Sequence, residues 1–314
     1  MGKIAFIFPG QGAQYVGMAQ EIHTFSPNAK KIFDEADEAL GFSVTDMIFS
    51  GDDETLRITE NTQPTILTAS VACAQPLLEA GVKPFMTAGL SLGEYGAHVL
   101  AGTFSFKDAV KLVRKRGKLM QETVPVGEGA MAALLGLSRE DVLTVCRKAG
   151  EAGIVEPANF NCPGQIVVAG AANAVAEAVK VATEMGAKRA MLLNVSAPFH
   201  CSLLEPAGRL LAKELEAVAV QKPEIPVVTN VTGNIIGEGE DVKELLVRQV
   251  SSSVRWEDCV KTMLAAGVDT FVEIGPGKTL SGFIKKIDKS AITLNVEDKA
   301  SLEATLTALR EVAP

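Results

Sequence analysis

Five short apolar segments, each ending near a glycine or a turn residue, mark the chain from its first residues to its last fifth. A strand buried in a parallel sheet is a nearly continuous run of apolar residues rather than an alternating one. The segments are KIAFIF at 3–8, FMTAGL at 85–90, PVVTNV at 226–231, TFVEI at 270–274 and AITLNV at 291–296. We predict that these five are buried strands.

Longer segments with apolar residues three or four positions apart lie between these strands. DAVKLVRKRGKLMQETV at 108–124 and EDCVKTMLAAG at 257–267 show this spacing, which is typical of helices with one buried face. Buried strands that alternate with helices predict an α/β fold built around a mainly parallel sheet.

The region from about Gly129 to Val195 has a different order of elements. The pattern predicts β-α-β-β-α-β, the ferredoxin-like arrangement, over MAALLGL, REDVLTVCRKAG, VEPANFN, QIVVAG, ANAVAEAVKVATEMG and RAMLLNV. VPVGEGA precedes this region and Ala197-Pro198 follows it, both typical of domain boundaries. We therefore expect a small inserted domain at 126–197 and a large domain formed by 1–125 and 198–314.

Composition and charge narrow the class of protein. The 314 residues are 47% hydrophobic and 22% charged, as in ordinary globular chains, and the net charge of −8 argues against non-specific nucleic-acid binding. The longest apolar stretch, from Thr65 to Val82, is interrupted by Gln75 and Pro76, so no membrane segment is expected. MGKIAFIFPG is too short for a signal peptide.

The five cysteines are odd in number and form no C-x-x-C pair, which argues against a disulfide framework and a zinc site. No metal-ligand spacing such as H-E-x-x-H is present either, so we expect no metal. Together with the absence of a targeting segment, the cysteine usage predicts a soluble cytoplasmic protein.

Gly89-Leu90-Ser91-Leu92-Gly93 has the pattern G-x-S-x-G, directly after a predicted strand. In some folds this pattern places a nucleophilic serine on a sharp strand-to-helix turn, although a glycine-rich chain also produces it by chance. Two other glycine motifs resemble nucleotide-binding loops. GQGAQYVG at 10–17 has its third glycine two positions late, and GPGKT at 275–279 has Val272 where a P-loop needs glycine. Both indicate turns at a sheet edge.

A nucleophilic serine needs a base, and the chain has only three histidines. His98, on the helix that Ser91 would open, lies about 10 Å along the axis and is too far away. His23 is expected to be a surface histidine. His200 follows Pro198 in a loop that can lean over a cleft between domains, although a structural role at a helix start remains open. By elimination, His200 is the best candidate base.

No carboxylate clearly suits the third place of a Ser–His–Asp triad. Asp108 and Asp141 lie between Ser91 and His200 in the chain, but both fall at predicted helix starts, where capping explains them.

Six motifs follow one another along the chain: FPGQGAQ, GLSLGEY, RGKLMQE, NFNCPGQIVVAG, SAPFH and EIGPGKTL. With them the chain resembles the malonyl-CoA:acyl carrier protein transacylases of bacterial fatty-acid synthesis. It is also similar to the acyltransferase domains of polyketide synthases. The resemblance runs from about Lys3 to Ile287 and implies an α/β-hydrolase-like large domain with an inserted ferredoxin-like small domain.

The resemblance also implies roles for individual residues. Ser91 would carry the acyl group as an ester, and His200 would be the general base and acid. The backbone carbonyl of Gln249 would orient His200 in place of a carboxylate. The backbone N–H groups of Gln11 and Leu92 would form the oxyanion hole.

Three further residues match family positions in or near the substrate pocket. Arg116 would pair with the free carboxylate of the malonyl group; without the resemblance, its basic neighbours favour a solvated helix face. Phe199 agrees with the malonyl-using branch, and Gln63 matches a glutamine near the site. Leu90 departs from the family, because many members have histidine before the nucleophile.

The function that follows is transfer of a malonyl group from malonyl-CoA to the phosphopantetheine thiol of acyl carrier protein. We expect no cofactor, no nucleic-acid or membrane partner, and a monomer. The alternatives are a polyketide acyltransferase, a serine thioesterase or other hydrolase, and a non-catalytic carrier-docking subunit. For the acidic carrier protein, we expect docking near Lys285, Lys286 and Lys289.

Overall fold

Two β-sheets, one parallel and one antiparallel, organise the chain. The structure is a computed structural model that describes residues 2–195 and 197–312. Ser196 of the SAPFH motif and residues 1, 313 and 314 of the expected large domain lie outside the described residues.

The strands are short, and they occur along the chain as β1 Lys3–Phe8, β2 Met86–Gly89, β3 Gly129–Leu135, β4 Val155–Cys162, β5 Gln165–Ala171, β6 Arg189–Leu192, β7 Val227–Val228, β8 Val268–Ile274 and β9 Ile292–Val296. The helices are α1 Gln20–Phe25, α2 Pro27–Leu40, α3 Val44–Ser50, α4 Asp53–Arg57, α5 Thr59–Glu79, α6 Gly93–Leu100, α7 Phe106–Thr123, α8 Arg139–Ala149, α9 Ala172–Glu184, α10 Glu205–Glu216, α11 Val242–Ser251, α12 Trp256–Ala265, α13 Thr279–Ile287 and α14 Lys299–Val312. Two 3₁₀ turns cover Gly150–Ala152 and Ser202–Leu204. Within the described residues, no helix is both long and apolar enough to cross a membrane.

The parallel sheet has the strand order β7-β2-β1-β8-β9, and each neighbouring pair is parallel. All five predicted strands are present in it. One is much shorter than predicted: of PVVTNV only Val227–Val228 pair in the sheet. The chain turns away after Val228, because the N–H of Thr229 donates to the carbonyl of Asn234 across a tight turn.

Helices cover both faces of the parallel sheet because the strand residues alternate in direction. In β1, Phe6 and Phe8 point into one hydrophobic cluster, together with residues of α5 and α7. Ala5 and Ile7 point into a second cluster, with residues of α12 and α13. This alternation, with both sets buried, explains why the strand sequence is apolar throughout.

The antiparallel sheet is formed entirely by residues between 129 and 192, in the order β4-β5-β3-β6. One face packs against α8 and α9 and forms its own cluster. Met131, Val167 and Ala169 on the opposite face belong to the large cluster of the parallel sheet. The fold is therefore mixed α/β, with a parallel sheet and a separate antiparallel sheet that both contribute to one of the three hydrophobic clusters.

Candidate active site

A cavity of about 280 Å³ lies where the loops after β1 and β2 leave the parallel sheet, beside the start of α13 and facing β3, β4 and β5. Ligands bind at the carboxyl ends of the strands in open α/β sheets. The cavity is lined by all but one of the residues that the sequence marks as site residues: Gln11, Gln63, Ser91, Leu92, Arg116, Phe199 and His200. The exception, Gln249, is fully buried behind them.

Ser91 sits on a sharp turn between β2 and α6 and has φ 54°, a left-handed conformation that is rare for non-glycine residues. Two glycines permit this turn by close packing. A side chain at Gly89 would collide with the backbone of Gly93, and one at Gly93 would collide with the backbone of Phe8 and Pro9. The G-x-S-x-G pattern therefore forms a strand-to-helix elbow in this structure.

Asn230, just after β7, holds the elbow at two points. Its Oδ1 accepts a hydrogen bond of 2.6 Å from the N–H of Ser91, and its Nδ2 donates one of 2.7 Å to the carbonyl of Gly89. The left-handed turn costs on the order of 1–3 kcal/mol, which such bonds from the surroundings can offset. Asn230 was not among the predicted site residues, because the sequence predicts strand over the whole of PVVTNV at 226–231. The signal that could have found it is a polar residue near the carboxyl end of a buried strand, which is the ligand-binding edge of the sheet.

His200 stands against the serine. Its Nε2 lies 2.6 Å from Ser91 Oγ, and its Nδ1 lies 2.8 Å from the backbone oxygen of Gln249. A carbonyl oxygen can only accept, so Nδ1 carries the proton and Nε2 of the neutral ring is free to accept from the serine hydroxyl. Burial, with the positive charge of Arg116 as a second cause, lowers the pKa of His200 to about 3.

Arg116 reaches the same oxygen from α7. Its Nη2 donates to Ser91 Oγ at 3.0 Å and to Gln249 Oε1 at 2.9 Å, and its Nη1 donates to Gln63 Oε1 at 2.8 Å. Among the described residues, its Nε has no acceptor, and no carboxylate forms an ion pair with it. The side chain is a buried cation, only 1% exposed, with neutral partners.

The expectation of a solvated basic face for Arg116, based on its neighbours alone, is wrong. Lys115 and Lys118 are exposed and Arg114 is partly exposed, where it pairs with Glu60. Because successive helical residues are about 100° apart, one position of a basic run can point inward while the others face water.

Glu94 is a second buried ionisable side chain, and it was not among the predicted site residues although it lies within the GLSLGEY motif. It is in the first turn of α6 and has no exposed surface. Its Oε2 accepts from the N–H of Asn230 at 3.0 Å and from Gln249 Nε2 at 2.7 Å. Burial raises the pKa of Glu94 to about 7, while these hydrogen bonds oppose the rise.

Two backbone N–H groups that the resemblance assigns to an oxyanion hole border the cavity beside Ser91. Leu92 follows the serine at the start of α6, and Gln11 lies in the turn after β1. Neither N–H has an acceptor within the described part of the chain. Both are therefore available to an oxygen of a bound ligand.

The other two histidines lie away from Ser91 Oγ, and their surroundings differ from those expected. His98 is buried on α6, with Nδ1 3.2 Å from Thr103 Oγ1, and burial lowers its pKa to about 3. His23 was expected at the surface but is partly buried, edge-on to Phe33 and Phe49. Asp141 and Asp108 accept from the N-cap serines of their helices.

The remaining walls of the cavity are mostly apolar. Phe199 precedes the candidate base, and Leu90 fills the position before the serine. Two asparagines of β4, Asn159 and Asn161, are the polar exceptions on the side of the antiparallel sheet. No cluster of three or more His, Cys, Asp or Glu side chains suited to a metal occurs in residues 2–195 and 197–312.

A serine on an elbow, a neutral histidine against its hydroxyl and free N–H groups beside it define the class of α/β enzymes that use a serine nucleophile. The chain belongs to the acyl transferase family, because the model of the acyl transferase domain matches residues 5–305. It is accordingly an acyltransferase.

Similar proteins match this chain over nearly its whole length, in sequence and in structure. The malonyl CoA-acyl carrier protein transacylase of Bacillus subtilis is 48% identical, over 99% of this chain and 98% of that protein. The crystal structure of the Clostridium perfringens transacylase has a TM-score of 0.96 at 46% identity and covers 98% of both chains. A malonyl-transacylase in complex with a type II PKS acyl-carrier protein has a TM-score of 0.94 at 42% identity, over 98% of this chain and 99% of that one.

Proposed function

We propose that this chain transfers malonyl groups from malonyl-CoA to the phosphopantetheine thiol of an acyl carrier protein, through an ester on Ser91, and so supplies the extender unit of fatty-acid synthesis. The observation that carries the proposal is the meeting of His200 and Arg116 at Ser91 Oγ. A base for the nucleophile and a buried cation for a carboxylate are what a malonyl thioester requires.

In the first half-reaction, the hydroxyl proton of Ser91 passes to His200 Nε2 while Oγ attacks the thioester carbonyl. The resulting oxyanion accepts from the N–H groups of Gln11 and Leu92, each contributing about 3 kcal/mol by analogy with other oxyanion holes. The C–S bond then breaks, and His200 returns the proton to the departing CoA sulfur. The carbonyl of Gln249 holds the imidazole in the required tautomer throughout.

In the second half-reaction, the carrier thiol gives its proton to His200 and attacks the malonyl ester. The C–O bond breaks, and Ser91 Oγ takes the proton back. The scheme uses only side chains, backbone groups and the two substrates, so we propose that it needs no cofactor.

Arg116 supplies the selection for malonyl groups in this proposal. A planar guanidinium can form two parallel hydrogen bonds with a carboxylate. An acetyl group would leave the buried charge with neutral partners only, which disfavours it. Gln63 holds the other end of the guanidinium, and Phe199 closes the pocket beside it.

For the architecture, we propose an α/β-hydrolase-like large domain of residues 1–125 and 198–314 with a ferredoxin-like insertion at 126–197. The order β4-β5-β3-β6 with two helices on one face supports the second assignment. We also propose a monomer, and five free cysteines support a cytoplasmic location.

Replacing Ser91 by alanine tests the proposal directly. We expect wild-type protein mixed with malonyl-CoA to gain the mass of one malonyl group and Ser91→Ala to gain none, because the only atom that carries the ester is lost. Intact-protein mass spectrometry measures both. Ser202→Ala, which changes a partly exposed serine near His200 in the chain, is the matched control and should still gain the mass. Stable malonylation of Ser91→Ala would contradict the proposal.

A further inference from the structure

Glu94 is a fully buried carboxylate that the proposed reaction does not use. It touches neither His200 nor the hydroxyl of Ser91; its hydrogen-bond donors are the backbone of Asn230 and the side chain of Gln249. A buried carboxylate is costly unless its hydrogen bonds compensate for lost hydration. Its other oxygen, Oε1, has no partner among the described residues, so the arrangement around Oε2 carries most of the compensation.

The side-chain amide of Gln249 connects Glu94 to the rest of the site. Its Nε2 donates to Glu94 Oε2 at 2.7 Å and to the carbonyl of Ser91 at 3.0 Å, and its Oε1 accepts from Arg116 Nη2 at 2.9 Å. A flipped amide would place its oxygen against two oxygens and its NH₂ against the guanidinium. The contacts therefore permit one orientation, and the charged acceptor makes the strongest of them.

The charge of Glu94 also bears on Arg116. The three acceptors of that guanidinium are neutral, and Glu94 lies on the far side of the Gln249 amide, where its negative charge favours the cationic guanidinium. Arg116 donates to the Gln249 amide, and that amide donates to Glu94. The two hydrogen bonds therefore point in the same direction, toward the carboxylate. In a buried network such contacts reinforce one another.

We propose that Glu94 is a positioning residue for malonyl selection: through the side-chain amide of Gln249 it holds the guanidinium of Arg116 in the orientation that receives the substrate carboxylate. This inference rests on the proposed function. It adds a residue that never contacts the substrate and that acts on the carboxylate of the acyl group rather than on its thioester.

Glu94→Gln removes the charge and keeps the shape. Its side-chain oxygen can still accept from Asn230 and Gln249, and its NH₂ takes the place of Oε1, 3.9 Å from His98 Nε2. Glu273→Gln is the matched control. Glu273 is equally buried, accepts from the N–H groups of Leu280 and Ser281 at the start of α13, and has no hydrogen bond to Gln249 or Arg116 within the described residues.

At pH 8, where Glu94 with its pKa of about 7 is mostly ionised, the experiment compares how fast each variant is acylated by malonyl-CoA and by acetyl-CoA, measured by intact-protein mass. A fluorophosphonate probe measures the reactivity of Ser91 without a carboxylate. For Glu94→Gln we expect the malonyl-to-acetyl rate ratio to fall about tenfold, since a hydrogen bond to a charged group is weakened. Probe labelling should stay within about threefold of wild type, and Glu273→Gln should keep the wild-type ratio.

A double-mutant cycle tests whether the effect passes through the amide. Gln249→Met removes the amide and retains the backbone carbonyl that holds His200. In that background, Glu94→Gln should change the ratio no further. An additional loss would overturn the proposal, as would an equal loss for both acyl groups or an unchanged ratio in Glu94→Gln alone.

Two measurements separate this inference from the proposed function and from misfolding. If wild-type protein is not malonylated, the proposed function is wrong. If it is malonylated but Glu94→Gln leaves the malonyl-to-acetyl rate ratio unchanged, only this inference is wrong. Emission of Trp256, the single tryptophan, reports folding. Should Glu94→Gln not fold, Gln249→Met carries the test alone, and an unchanged ratio there overturns the proposal.

Discussion

At the residue scale, the chemistry of this protein is concentrated on one oxygen. Ser91 Oγ lies 2.6 Å from the histidine that can take its proton and 3.0 Å from a guanidinium that donates to it. The guanidinium has a further effect, because its positive charge disfavours protonation of the histidine. Burial is the larger cause of the low pKa of His200, and the same arginine that suits a carboxylate adds to it.

The low pKa of His200 predicts the acid limb of the pH profile. Since burial and Arg116 lower this pKa from 6.5 to about 3, the ring is neutral and able to accept a proton throughout the range above. We expect the acid limb of Ser91 labelling by a fluorophosphonate probe, which has no carboxylate for the Arg116 site that Glu94 supports, to lie well below pH 6.5. Labelling rates measured from pH 4 to 8 on the free enzyme report the ionisation of His200.

The stability of the fold limits that measurement. Below 6.5 a histidine of the unfolded chain binds a proton that buried His200 and His98 do not, so unfolding becomes more favourable as pH falls toward 3. Trp256 emission at each pH defines where the protein is folded. An acid limb at or above pH 6.5 in folded protein would contradict the prediction.

At the scale of elements, the elbow between β2 and α6 is built by neighbours far away in the chain. Its glycines allow the turn, but Asn230 after β7 supplies the hydrogen bonds at both of its ends. The same asparagine donates its backbone N–H to Glu94, so the loop after β7 and the first turn of α6 form one unit. The carboxyl ends of β2 and β7 therefore position the nucleophile together.

Asn230→Ala should weaken both the fold and the nucleophile. It leaves the N–H of Ser91 and the carbonyl of Gly89 buried without partners, each costing about 1–3 kcal/mol. We expect a lower free energy of unfolding in urea and slower fluorophosphonate labelling of Ser91. Asn234→Ala, an exposed change in the same turn, is the control and should shift stability by less than about 0.5 kcal/mol. Equal behaviour of the two variants would show that Asn230 does not hold the elbow.

At the scale of the whole molecule, the net charge of −8 opposes an acidic partner, so a local basic surface has to receive it. Helix α13 offers one, because Leu280 and Phe283 line the cavity while Lys285 and Lys286 are exposed further along the same helix, close to Lys289. Lys285 donates to the carbonyl of Ala291 and Lys286 to Gln165 Oε1. These three lysines are our candidate for the carrier-protein docking surface.

Charge reversal of these lysines should affect one substrate only. For the triple change to glutamate, we expect KM for the carrier protein to rise about tenfold or more at low salt and to rise less at high salt, because exposed charges are screened. KM for free pantetheine should stay the same. Reversal of Lys30 and Lys31 on α2 is the control. An unchanged KM for the carrier protein would exclude this surface.

Much of the fold follows from the sequence because the strands are buried on both faces. Ala5 and Ile7 enter one cluster and Phe6 and Phe8 the other, so the segment is apolar at each position and recognisable without knowing its neighbours. The strand predicted from PVVTNV is longer than the observed one because the second half of the segment serves the site. Thr229 forms a hydrogen bond within a turn and Asn230 bonds to the elbow, and neither pairs in the sheet.

By itself, the sequence predicted the strands of both sheets, a serine pattern that suits an elbow and, by elimination among three histidines, the candidate base. It could not determine that Arg116 is buried while its basic neighbours are exposed, or that Glu94 and Asn230 meet behind the serine. Residue patterns are local, whereas Ser91 meets His200 from 109 positions away and Gln249 from 158. Only the parallel sheet, by bringing the carboxyl ends of its strands to one edge, decides which distant residues share an environment.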